Sequence, residues 1–172
     1  MHVNRRRLIT VITVALAVTL ACSSCGSKKS SSAAKSDVSY TVRTAVTDAL
    51  ARDAQMRAGE AAMIQAVKSG AVQLNAGLDS LVDNNKALVS LIGSVTKGSR
   101  PTNADLAGAR DTMADYLRDR VHQLEASLVA MTPQDLETMY GRGAGTPSAE
   151  RAKVIELLLK YDPELKSAVP SQ

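Results

Sequence analysis

Apolar residues recur at steps of three and four along most of the chain from Asp37 onward. This spacing is that of a helix face, and no comparable run shows the strict alternation of a half-buried strand. The pattern predicts a first helical stretch over about 38–69, a second that continues to about Val95, and a third from about residue 103 to about Met131. Shorter helices are predicted after Pro133 and Pro147. We therefore predict an all-α fold, a helical bundle of three to four main helices.

The most regular pattern is a seam of alternating three- and four-residue steps, of the kind found in coiled coils. It consists of Ile64, Val67, Ala71, Leu74, Leu78, Leu81, Asn85, Leu88, Ile92 and Val95. A buried Asn in such a seam can fix helix register or oligomeric state. One hypothesis is therefore an oligomer or partner seam formed by Leu74, Leu78, Leu81, Asn85, Leu88 and Ile92. The alternative is an Asn85 that a neighbouring helix or a water satisfies inside a monomeric bundle.

Glycine and proline divide this pattern into helices. The seam passes Ser69 and Gly70 without a change of phase, so the first two stretches form either one long kinked helix or a hairpin that turns near Gly70. The unbroken phase favours the kinked helix. Gly98 and Pro101 end the second stretch, and Thr102 or Asn103 then caps the next helix. The Gly-rich run 141–145 predicts a loop, and the helical domain spans 37–172.

The N-terminal segment has the composition of an export signal. Arg5, Arg6 and Arg7 precede an apolar run that extends from Leu8 to Ala21. A basic start followed by a short apolar run is typical of a secretory signal peptide. The run is also shorter than the roughly 20 residues that a membrane-spanning helix needs. Residues 1–21 are therefore predicted to be a signal peptide.

The end of this signal, Val18-Thr19-Leu20-Ala21-Cys22, resembles the lipobox of bacterial prolipoproteins, although that family usually has Leu where Thr19 stands and a smaller residue than Leu20. The resemblance implies cleavage between Ala21 and Cys22 and acylation of the Cys22 thiol with fatty acids such as palmitate. It also implies a chain anchored in the cell membrane or outer membrane, on the extracytoplasmic side. The alternative is ordinary secretion after Ala15-Leu16-Ala17.

Residues 22–36 would then be the lipidated N terminus and a Ser/Lys-rich tether. Its lysines, Lys28, Lys29 and Lys35, either contact anionic lipid head groups or belong to a plain spacer. From Asp37 onward 15 basic residues stand against 17 acidic ones, and the sequence has no Phe or Trp. Because nucleic-acid sites need a basic footprint and stacking platforms need aromatic rings, we expect no nucleic-acid partner.

Few residues of the mature chain suggest chemistry. Cys22-Ser23-Ser24-Cys25 has the spacing of a redox or metal pair, but acylation would consume Cys22. His122 lies three residues before Glu125, whereas a di-iron bundle needs a second Glu-x-x-His motif, so we predict a surface histidine. Asp111, Asp115 and Asp119 share one helix face with neighbouring arginines. These observations predict no metal site, no cofactor and no enzymatic activity.

Two functions fit these expectations. The first is a non-catalytic protein-interaction or structural module of the cell envelope, which binds a protein partner or a second copy of itself. The second is a lipid-anchored small-molecule-binding domain, in which methionines line an apolar pocket between helices. The methionines in question are Met56, Met63, Met113 and Met131.

Overall fold

The structure is a computed structural model that describes residues 37–144 and 149–169. Within these ranges the chain forms helices and no strand, which confirms the predicted all-α bundle. The α-helices are α1 (Asp37–Lys68), α2 (Leu74–Thr96), α3 (Ala104–Ser127), α4 (Pro133–Ala144) and α5 (Ala149–Tyr161), and a 3₁₀ helix follows at Pro163–Ser167.

Successive long helices run antiparallel, and α3 lies at the centre of the bundle. It packs against α1, α2, α4 and α5. Small side chains let the neighbouring helices approach α3 closely, as at Gly108, whose open face meets Leu157 of α5. The core that results is aliphatic, since aliphatic side chains dominate the sequence. Its fully buried members include Val46, Leu50, Leu81, Leu88, Leu106, Met113, Leu117, Leu124, Leu136, Val154 and Leu158.

The prediction of one long kinked helix through Gly70 is wrong, because α1 and α2 form a helical hairpin. The chain leaves α1 after Lys68, and Gly70 adopts a left-handed conformation with a φ of 75°. Glycine is favoured in this conformation because it has no Cβ. The amide of Val72 donates to the carbonyl of Ala66 across the turn, at 3.1 Å. The three- and four-residue spacing continues across the turn only because the number of residues between α1 and α2 happens to match it.

The central seam residues of α2 pack within this one chain. Leu81 and Leu88 are fully buried in the core, and Leu74, Leu78 and Ile92 pack partly buried against it. Asn85 is half-buried, and its Nδ2 donates to the carbonyl of Val121 in α3 at 3.2 Å. Asn85 is thus satisfied by a neighbouring helix, as the monomeric alternative predicted.

The helix ends follow the predicted chemistry with two exceptions. Gly98, two residues after the end of α2, has a φ of 79°. The Asn103 side chain caps α3 by accepting from the amide of Leu106 at 3.0 Å. Arg110 adds a further cap by donating to the carbonyls of Val95 and Thr96. The first exception is α3, which was predicted to extend to about Met131 but ends at Ser127 and leaves Met131 84% exposed.

The second exception is α4, which was predicted to end before the Gly-rich run 141–145. The helix continues to Ala144 and so includes Gly141 and Gly143, which were assigned to a loop. Its start is as predicted: the Thr132 hydroxyl accepts from the amide of Asp135 at 3.1 Å, ahead of Pro133. The glycines at the end of α4 lower its helix propensity without preventing the last turn.

Candidate functional site

The interior contains a cluster of charged and polar side chains that joins four helices. We call it the polar cluster: Asp53 and Glu60 from α1, Tyr116 and Arg120 from α3, Tyr140 from α4, and Asn84 from α2. Asp53 and Glu60 lie two helical turns apart, so both carboxylates leave the same face of α1. Asp53, Glu60 and Arg120 are all buried. Because burying charges is costly unless they are paired, their partners decide what the cluster can do.

Asp53 accepts from two residues of α3 that lie one turn apart. Its Oδ2 accepts from the Tyr116 hydroxyl at 2.7 Å, and its Oδ1 accepts from Arg120 Nε at 3.3 Å. Two further guanidinium groups lie at the edge of this carboxylate. Arg57 Nε is 3.3 Å and Arg151 Nε is 4.0 Å from Asp53 Oδ2. Three positive groups therefore surround one carboxylate.

Glu60 is held from three helices. Its Oε2 accepts from Arg120 Nη2 and from the Tyr140 hydroxyl, both at 2.5 Å. Its Oε1 accepts from Asn84 Nδ2 at 3.2 Å. Arg120 completes the arrangement by donating from Nη1 to Gln123 Oε1 at 2.8 Å. Arg120 therefore bridges the two carboxylates, and each of the four carboxylate oxygens accepts at least one hydrogen bond.

The protonation of the cluster follows from this burial. Burial and the adjacent Asp53 carboxylate raise the pKa of Tyr116 well above its ordinary value of about 10. Burial and the hydrogen bond to Glu60 raise the pKa of Tyr140 in the same way. Burial would lower the pKa of Arg120, but the charge and hydrogen bond of Glu60 together with the charge of Asp53 outweigh it and raise that pKa. Both tyrosines are therefore hydrogen-bond donors at neutral pH.

The cluster was not predicted from the sequence. Asp53 and Arg57 have the i,i+4 spacing that is typical of an ion pair on a helix surface, but Asp53 is fully buried. The signal that could have located them is the register, because Asp53 and Glu60 continue the steps of three and four between Ala49, Met56 and Val67 on the inward face of α1. Arg120 is likewise a charged residue at a buried position, because it lies between Leu117 and Leu124 on the buried face of α3.

Among the described residues, those that the sequence singled out for chemistry lie on the surface and outside the polar cluster. His122 is exposed, and its Nδ1 lies 3.3 Å from Glu125 Oε2. Asp111 is bound by Arg100 at 2.7 Å and Asp115 by Arg118 at 2.5 Å. Within the described ranges no group of His, Cys, Asp or Glu side chains has an arrangement that could hold a metal ion.

The outer surface of the α1–α2 hairpin carries a groove made of three adjoining hollows. The middle and inner hollows, of about 350 and 400 Å³, share Arg52, Leu91 and Ser94. The outer hollow, of about 230 Å³, shares Thr41 with the middle one and reaches Gly98. We call this surface the hairpin groove. Part of its walls is formed by small side chains, namely Thr41, Thr44, Ala45, Ala87, Ser90 and Ser94.

The methionines do not form the predicted pocket. Met113 is fully buried in the core, whereas Met131 is almost fully exposed. Only Met56 lines the hairpin groove. Met63 packs partly buried against the core and approaches Gly77 of α2. These four side chains therefore do not surround one cavity.

The predicted lipidation and cleavage residues, Cys22 and Ala21, lie outside the described residues. Among the helices that the structure describes, none is long and apolar enough to cross a membrane. No protein-family model, curated protein or solved structure matches the sequence.

Proposed function

We propose that the protein is a bacterial cell-envelope lipoprotein whose helical domain is a non-catalytic protein-interaction module. The proposed localisation rests on the sequence, which has three arginines, a short apolar run and a lipobox-like segment, Val18–Cys22. Acylation of Cys22 would anchor the chain on the extracytoplasmic side of a membrane. The tether of residues 22–36 would then connect the anchor to α1.

The interaction role is supported by the way in which the buried charged groups are paired inside the domain. The buried carboxylates of Asp53 and Glu60 are both bound by side chains of the same chain, so the polar cluster is a structural link between helices. What the domain presents outside is helix surface, including the hairpin groove. Such a surface binds another protein by packing against side chains, and it requires no catalytic group.

Native mass spectrometry of the full-length protein, gently extracted from its own envelope, tests both parts of this proposal. We expect a chain that begins at Cys22, carries acyl chains and travels with a second protein molecule. The Cys22→Ser variant should lack the lipid. A chain without lipid that begins elsewhere would overturn the proposed localisation. A lipidated chain that is never accompanied by a second protein molecule would overturn the interaction role.

A second candidate is the binding of a small apolar molecule, which the inner hollow of the hairpin groove favours. Its volume of about 400 Å³ lies within the range of small-molecule sites, and Met56 and Leu91 contribute apolar lining. The hollow is open on one side and includes the charged Arg52, which fits a protein surface better. A thermal-shift screen with apolar envelope metabolites tests this candidate, and no shift with any of them would count against it.

A further inference from the structure

We infer that the hairpin groove binds a second copy of this chain, with the two α1 helices packed antiparallel about a two-fold axis. This inference deepens the proposed function and rests on it, because it names the protein that the interaction module binds. It starts from two side chains of α1, Asp48 and Arg52. Both are exposed at the groove, one helical turn apart.

Asp48 and Arg52 differ from many of the other surface charges in having no internal partner. Within residues 37–144 and 149–169, neither forms an ion pair. Other exposed charges close together in sequence do pair, as Asp115 does with Arg118 and Asp83 with Lys86. The groove therefore presents one negative and one positive group, both available to a partner.

The arrangement of these charges is self-complementary only in one orientation. If two α1 helices pack antiparallel about an axis level with residue 50, Asp48 of each copy faces Arg52 of the other. Parallel packing would instead place like charges opposite each other, which is unfavourable. A two-fold interface uses the same surface on both copies, so each favourable pair occurs twice. The charges therefore favour a second copy of this chain in antiparallel orientation.

The walls of the groove allow this approach. Along the exposed face of α1, Thr41, Ala45, Asp48, Arg52 and Gln55 follow steps of four and three, which is the spacing of a helix–helix contact. The facing wall of α2 carries the small residues Ala87, Ser90 and Ser94. Small side chains let a helix of the second copy lie close to both walls. At the middle hollow Tyr40, which is 60% exposed, would become covered.

The proposed arrangement is compatible with anchoring of both copies in one membrane. With the axis level with residue 50, the two Asp37 residues lie about 40 Å apart along the helix direction, at 1.5 Å per residue. Residues 22–36 reach at most about 50 Å when fully extended. Each copy can therefore keep its lipid in the same membrane while α1 pairs with α1.

Charge reversal in the full-length lipidated protein tests the inference. In detergent micelles the wild type should be a dimer, and D48R or R52D should each weaken dimerisation at least about tenfold, since each places two pairs of like charges in contact. An equimolar mixture of D48R and R52D should form dimers again, because opposite charges then face each other at both pairs. Matched reversals at an exposed pair on α3, D115R and R118D, should leave dimerisation unchanged.

A photo-crosslinking residue at Ser90, introduced into the full chain in its own cells, separates this inference from the proposed function. An adduct of twice the chain mass that D48R abolishes supports the second copy. An adduct with a different protein overturns the second copy but leaves the interaction module standing. Absence of any adduct, together with a monomeric chain in micelles, overturns both. Far-UV circular dichroism of the variants shows that they remain folded.

Discussion

Arg120 of α3 donates to Glu60 of α1 through Nη2 at 2.5 Å, and both side chains are buried. The same guanidinium reaches Asp53, two turns earlier on α1, through Nε at 3.3 Å. One cation therefore bridges the two carboxylates that α1 turns toward the core. This relationship fixes how α1 lies against α3, and it makes the fold sensitive to the loss of a single side chain.

We expect Arg120→Met to lower the free energy of unfolding by about 3–5 kcal/mol, because two buried carboxylates lose their shared cation. Urea denaturation followed by far-UV circular dichroism measures this change. Arg118→Met is the matched control, since Arg118 is exposed and pairs only with Asp115, and its effect should stay within about 0.5 kcal/mol. Equal effects of the two substitutions would show that the bridge does not stabilise the fold.

The raised pKa values of Tyr116 and Tyr140 predict alkaline unfolding. A pKa that is higher in the folded state than in the unfolded chain contributes stability that is complete below about pH 10. That stability is lost as pH rises toward the folded-state pKa, because only the unfolded chain readily releases the proton. The free energy of unfolding should therefore fall above about pH 10, and the part of the tyrosine absorbance near 295 nm that comes from Tyr116 and Tyr140 should rise together with unfolding.

The double variant Tyr116→Phe/Tyr140→Phe is the control for this pH dependence. It should be less stable at neutral pH, since each lost hydroxyl leaves a buried carboxylate oxygen with fewer donors. Its free energy of unfolding should nevertheless fall less steeply above about pH 10. The sequence contains no Trp, so the absorbance change reports tyrosine alone. Equal slopes for the variant and the wild type would contradict the assigned cause.

Gly77 and Gly59 should respond oppositely to alanine. A Cβ at Gly77 would lie 2.6 Å from Val67 Cγ2 and 2.9 Å from Met63 Sδ, whereas one at Gly59 would meet nothing within 4 Å. We expect Gly77→Ala to destabilise the fold by about 1–2 kcal/mol through overpacking. Gly59→Ala should stabilise it by up to about 1 kcal/mol through helix propensity. Thermal unfolding measures both, and a stabilising Gly77→Ala would show that α1 and α2 can separate at no cost.

The adjacent asparagines of α2 form another matched pair. Asn84→Leu removes the donor to the buried Glu60 carboxylate, so we expect a loss of about 1–3 kcal/mol. Asn85→Leu removes a donor to the Val121 carbonyl from a half-buried position, and its effect should stay below about 1 kcal/mol. Chemical denaturation compares the two. A larger loss at Asn85 would mean that the α2–α3 contact depends on its amide.

Asn85→Leu should also leave the association state of the full-length protein unchanged, because Asn85 is satisfied within the chain. Sedimentation of the variant in detergent micelles tests this expectation. A change of oligomeric state would return the seam of Leu74, Leu78, Leu81, Asn85, Leu88 and Ile92 to the role of an interface. It would also contradict the assignment of the interface to the hairpin groove.

Periodicity predicted the helical class and most helix boundaries, because burial of one face imposes the spacing of apolar residues directly. The turn at Gly70 was not predicted, because the heptad phase is the same on both sides of it. The polar cluster was not predicted for a different reason. A charged residue at a core position looks like an interruption of the pattern until its partners from other helices are known. Arg120 is at least 60 residues away in sequence from Asp53 and Glu60, and only the tertiary fold brings it to them.

The ion pair between Arg43 Nη1 and Asp162 Oδ2, at 2.6 Å, joins the second turn of α1 to the segment just after α5. The two ends of the described chain therefore lie at the same end of the bundle, opposite the Gly70 turn. A circular permutant that links residue 169 to residue 37 through a short peptide and opens the chain at Gly70 would keep every helix intact. For the same reason, a fluorescent label at Gly70 would lie at the end of the bundle opposite the start of α1.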